Sequence, residues 1–117
     1  MSLDVYLIET LTCDCGKVHT LGNCVYTNNI THNLNKMAEE AGIYQHLWRP
    51  EELDIKFASQ LIEPLEAGLS RLYSDPDHYK EFNPTNGWGD YSILIHFVES
   101  YRDACIETPS ALIEISR

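Results

Sequence analysis

The chain has 117 residues, 44% of them hydrophobic and 22% charged, a composition that excludes a disordered acidic tail and suits one folded domain over residues 1–117. Eight basic against eighteen acidic side chains leave a formal charge of −10, which repels phosphates and argues against a nucleic-acid partner. No apolar run approaches the roughly 18 residues of a membrane span, and Met-Ser-Leu-Asp-Val-Tyr-Leu lacks the basic flank of a secretion signal, so no membrane association and a cytoplasmic location are expected.

The segment Leu3–Leu11 alternates as a strand does, with Leu3, Val5 and Leu7 on one face and Asp4, Tyr6 and Ile8 on the other. Two partners for it are legible. Cys24-Val25-Tyr26-Thr27 is rich in β-branched and aromatic residues and would close a hairpin with a long tip; Ala111–Ile115 would bring the two ends of the chain into one sheet. The predicted fold class is therefore α+β, a small antiparallel sheet of N-terminal hairpin plus C-terminal strand packed against about four helices. The edge of such a sheet leaves a homodimer open.

The hairpin tip, residues 13–24, carries Cys13, Cys15, His19 and Cys24, a thiolate and imidazole set suited to a tetrahedral structural zinc. Cys-x-Cys is tighter than the usual knuckle and no second knuckle follows, so reduced thiols in a loop are an equal reading. A disulfide ranks third, because cytosolic thiols stay reduced.

The stretch Asn28-Asn29-Ile30-Thr31-His32-Asn33 gathers polar side chains where strand gives way to helix. Leu34, Met37, Ala38 and Ala41 follow at helical spacing, Thr31 is the expected N-cap, and Gly42-Ile43 forms the stop. His32 and Asn33 would then occupy a first turn, where free N–H groups attract an anion.

Tyr44–Arg49 carries Trp48, read as a core or lid residue, and Pro50-Glu51-Glu52 has the form of a helix start. From Asp54 a longer helical stripe is predicted through Ile55, Ala58, Ile62, Leu65, Leu69 and Leu72, with Pro64 kinking or dividing it. Asp75-Pro76 opens a further helical turn. The loop Asn83–Asp90 then holds Trp88 between two glycines, either as a core plug or as a surface for a ligand. The last helix, Tyr91–Glu107, presents Leu94, Val98, Tyr101 and Cys105 on one stripe, which makes Cys105 a small apolar residue and not a nucleophile; His96 lies off that stripe.

No nucleophile elbow, phosphate loop, dinucleotide fingerprint or metalloprotease motif is present, and no catalytic residue is assigned. His32, Asp90 and Thr31 can be combined into a triad for a small hydrolase, as such residues can in most chains of this size. A binding site is the better reading, with Asn29, Thr31, His32 and Asn33 supplying hydrogen bonds and Trp48 and Trp88 flat apolar faces for a small polar or anionic, nucleotide-like ligand. The competing reading is that these polar groups only satisfy local backbone. A different class of function, an acidic module that docks on a basic protein surface, follows from the charge alone.

Ser2-Leu3-Asp4-Val5-Tyr6-Leu7, the cysteine-bearing tip, Asn29–Leu34 with Met37-Ala38 and Ala41-Gly42-Ile43, Leu47–Glu52, and Asn86-Gly87-Trp88-Gly89 together resemble a group of small proteins of bacteriophages and prophages. The resemblance spans nearly the whole chain. It implies a setting, an accessory protein in the host bacterial cytosol engaged in takeover of the host, in countering its defences or in a housekeeping step, with a basic host protein as the partner of an acidic module, and it carries over no catalytic residue.

Overall fold

The computed structural model describes residues 2–12, 18–85, 87 and 89–117. Three strands, β1 (Ser2–Thr12), β2 (Val18–Thr31) and β3 (Leu112–Ser116), form an antiparallel sheet in the order β2-β1-β3. The central strand pairs with β2 from Ser2↔Thr31 outward and with β3 over Asp4↔Ser116 to Ile8↔Leu112. Both ends of the chain thus meet in one sheet, as the alternating pattern predicts. Beyond Ile8 the pairing of β1 continues with β2 alone, so the far half of the hairpin is a two-stranded ribbon.

The second strand is longer than its composition suggests. It begins at Val18, inside the expected tip, and runs through Asn28, Asn29 and Ile30 to Thr31. Residue-by-residue pairing with β1 holds the two asparagines in the ladder despite their poor strand propensity, because Leu3 opposite Ile30 supplies a buried apolar pair. Leu3, Val5 and Leu7 are fully buried while Asp4, Tyr6 and Ile8 keep some exposure, which places the helices against the first face only.

Five helices are present among the described residues: α1 (Asn35–Glu40), α2 (Tyr44–Trp48), α3 (Ile62–Ser74), α4 (Pro76–Lys80) and α5 (Tyr91–Glu107). The predicted stripe of Leu34, Met37, Ala38 and Ala41 is fully buried, and Ile43 joins it. The long segment after Asp54 is not one helix. Asp54 adopts a left-handed conformation after a 3-10 turn at Pro50–Leu53, Lys56 and Phe57 run extended beside β3, and a second 3-10 turn at Ala58–Leu61 leads into α3. Pro64 falls in the first turn of α3, where its missing N–H has no intrahelical acceptor to lose.

Helix α5 follows its predicted limits. Asp90 caps it by accepting from the Ile93 amide at 3.0 Å, and Leu94, Phe97, Val98, Tyr101 and Cys105 are buried. Burial pushes the Cys105 thiol up to about 12, which keeps it protonated and unreactive. Tyr101 stacks on Tyr26 of β2 with ring centres 5.9 Å apart, joining the long helix to the sheet. Helix α3 meets the rest of the core at Gly68, where an added Cβ would stand 2.4 Å from Ile43 Cγ2. No helix among the described residues is long and apolar enough to cross a membrane.

Candidate functional site

At Thr31 the strand ends in a cap. Its hydroxyl accepts from the Asn33 amide at 3.3 Å, and the chain turns through a single 3-10 turn, His32–Leu34, before α1. The six residues of α1 are too few to build a substantial macrodipole, so the expected anion site at a helix start has little physical support.

The same junction is built against the glycine-rich loop. Gly89 lies so close to it that a Cβ there would meet Thr31 Cγ2 at 2.8 Å and Leu34 Cδ1 at 3.1 Å. Asn83 anchors the near end of this loop, its side-chain oxygen accepting from the Tyr91 amide at 2.9 Å. Two stretches remote in sequence thereby flank one open groove of about 700 Å³, lined by His32, Asn33, Asn35 and Lys36 on one side and residues 81–85 on the other. A smaller depression of about 440 Å³ lies beside Tyr44 and Arg49, away from both motifs.

His32 is the best-defined group in the groove. The Trp48 indole N–H donates to His32 Nδ1 at 2.9 Å. An indole nitrogen can only donate, so Nδ1 carries the lone pair and the neutral ring bears its proton on Nε2. A histidine base in a nucleophilic triad has the opposite arrangement, with Nδ1–H given to an orienting carboxylate. Asp90 is engaged as the cap of α5 and the Thr31 hydroxyl as the cap of the 3-10 turn, which gives each a structural task.

The other predicted residues divide between places. Asn33 lines the groove. Asn29 points to the open face of the sheet, where its amide donates to Ser2 Oγ at 2.8 Å and Asp4 Oδ1 at 2.6 Å. Trp48 is 2% exposed and stacks on Tyr44 with centres 5.5 Å apart, so it reaches the groove through its N–H and not as a flat surface. Trp88 lies outside the described residues, as do Cys13, Cys15 and the side chain of His19. Cys24 is exposed on β2, and among the described residues no cluster of three or more histidine, cysteine or acidic side chains could hold a metal ion.

Asn35, Lys36, Glu81 and Phe82 belong to the groove and carry no sequence signal of it. Asn35 and Lys36 fall on the solvent side of the α1 stripe, and Glu81 and Phe82 look like the tail of a short helix. Asn83-Pro84-Thr85 is legible as a loop, but its neighbour across the groove is set by tertiary packing. His78 ties the two walls together, its Nε2 lying 3.0 Å from Glu40 Oε1 between α4 and α1. That hydrogen bond, with the nearby Asp75 and Glu81 carboxylates, holds the His78 ring above its ordinary pKa. No protein-family model, no curated protein and no solved structure matches the chain.

Proposed function

We propose that the protein is a non-catalytic binding protein that holds a small polar or anionic, nucleotide-like ligand in the groove between residues 32–36 and 81–85. The reading extends to a phage accessory role in the host cytosol through the resemblance of the two motifs that meet there. The observation that carries it is the Trp48–His32 hydrogen bond at the groove wall. A core tryptophan that orients a groove histidine pre-sets a donor, Nε2–H, at no further ordering cost on binding.

Around that donor stand the amides of Asn33, Asn35 and Asn83, the Thr85 hydroxyl, the Lys36 ammonium and the Glu81 carboxylate, with half-buried Phe82 as the apolar surface. Such a mixture supplies donors, acceptors and one aromatic face, as small-ligand sites do. The engagement of Nδ1 by an indole favours binding over base catalysis.

Thermal unfolding against a panel of nucleotides, nucleosides and sugars tests the reading. A ligand at about a hundredfold excess over its dissociation constant adds about 2.7 kcal/mol of stability. His32→Ala and Lys36→Ala should each abolish most of that gain while leaving the ligand-free protein folded. A panel without a single stabilising compound, or one whose gain survives both substitutions, overturns it.

A further inference from the structure

We propose that the groove selects a nucleoside monophosphate whose base carries an exocyclic amine, with its phosphate on the Lys36 and His32 wall and its base on the Phe82 and Glu81 wall. This names the ligand class of the site proposed above and rests on that reading.

The two walls carry opposite charges. Lys36 lies on one and Glu81 on the other, and neither forms an ion pair among the described residues. Opposed charges left without protein partners across one groove fit a ligand with an anion at one end and a hydrogen-bond donor at the other.

The first wall is rich in donors. Trp48 fixes His32 with its Nε2–H as the free donor, Lys36 can only donate, and the Asn33 and Asn35 amides add to them. A phosphate monoester suits such a wall, since it carries about −1.5 to −2 charges at pH 7 and three strong acceptor oxygens. Charge also limits the number of phosphates. Lys36 is the one lysine or arginine among the described lining residues and the chain carries −10 overall, so a second or third phosphate brings charge that the groove does not neutralise.

The facing wall suits a base. Glu81 and Phe82 are consecutive at the end of α4, where the Phe82 amide donates to the Tyr79 carbonyl at 3.0 Å. His78 packs against the Phe82 ring in a T-shaped contact with centres 5.7 Å apart, which steadies a half-buried aromatic surface. The His78 imidazole feels the Glu81 charge through space but gives its Nε2–H to Glu40, so the Glu81 carboxylate keeps its acceptor sites for a ligand. A base stacked on Phe82 turns an edge toward that carboxylate. The amine of adenine or cytosine donates to it, whereas the carbonyl that replaces the amine in hypoxanthine or uracil sets acceptor against acceptor.

Isothermal titration calorimetry with adenosine, inosine, cytidine and uridine monophosphates, and with adenosine di- and triphosphate, tests the assignment; divalent cations are left out because they mask phosphate charge. The adenosine and cytidine monophosphates should bind about tenfold or more tighter than their inosine and uridine counterparts. Affinity should fall from mono- to di- to triphosphate. Glu81→Gln, whose amide can turn either its oxygen or its NH2 to the base, should bring the amine-to-carbonyl ratio to about one. Lys36→Ala should weaken every monophosphate and leave that ratio intact. Equal affinity for amine and carbonyl bases, a ratio that survives Glu81→Gln, or tightest binding of the triphosphate overturns the assignment while the binding reading stands. Binding of another compound of the thermal-unfolding panel with none of these nucleotides also overturns it alone, and silence of every compound overturns the reading with it.

Discussion

Replacing Gly89 by alanine separates two effects that a neighbouring glycine allows to be measured apart. Gly87 and Gly89 both have positive φ, 78° and 93°. At Gly87 an added Cβ meets nothing within 4 Å, so Gly87→Ala carries the conformational cost alone, about 1–2 kcal/mol. At Gly89 the same methyl group stands 2.8 Å from Thr31 Cγ2 and 3.1 Å from Leu34 Cδ1. Overpacking of that kind adds about 1–3 kcal/mol, so Gly89→Ala should cost about 2–5 kcal/mol in all. Urea unfolding of the two variants, compared at a common slope, gives the difference. Amide resonances of Thr31, His32 and Leu34 should shift in Gly89→Ala and stay in place in Gly87→Ala. Equal losses for the two variants, with unchanged resonances in both, would refute the packing of the loop on the strand-to-helix junction and with it the groove as described.

Three further outcomes follow from the same coordinates. Gly68→Ala should destabilise by about 1–3 kcal/mol through the clash with Ile43 Cγ2, although glycine to alanine in a helix ordinarily stabilises by up to about 1 kcal/mol. Ile43→Leu, which removes that methyl, should recover part of the loss in a double-mutant cycle. Tyr101 is fully buried and its hydroxyl has no hydrogen-bond partner among the described residues, so Tyr101→Phe should leave the urea midpoint unchanged or raise it by up to about 1–2 kcal/mol in stability; a clear loss would reveal an unseen partner. The His78 pKa is raised by Glu40, so the contribution of this pair is fully present below the ordinary imidazole value and is lost as pH rises through the folded value. Urea midpoints of the wild type and Glu40→Gln should therefore converge as pH rises above the ordinary imidazole value of about 6.5, and curves that stay parallel there would discount the pair.

Local chemistry made several elements readable. Alternation marked β1 and β3, spacing of three and four marked the buried faces of α1 and α5, and Asp75, Asp90 and Thr31 all act as caps, because capping and periodicity are properties of a few adjacent residues. The segment after Asp54 misled by the same rule. Its apolar spacing is helical, yet pairing of Lys56 and Phe57 with β3 pulls it into extended backbone, a competition that only the fold resolves.

The polar stretch Asn28–Asn33 was visible as a cluster, but its members part company. Strand alternation sends Asn29 to the open sheet face, while the turn after Thr31 carries His32 and Asn33 into the groove. Composition marked Trp48 as a residue that would seek burial; that its N–H would meet His32 depends on how α2 packs, as the approach of Gly89 to Thr31 depends on the long-range placement of its loop. Sequence specifies periodicity, caps and charge because those act over one or two turns of chain. The pairing of groups dozens of residues apart is decided by which apolar faces close on one another, and that closure is a property of the whole core.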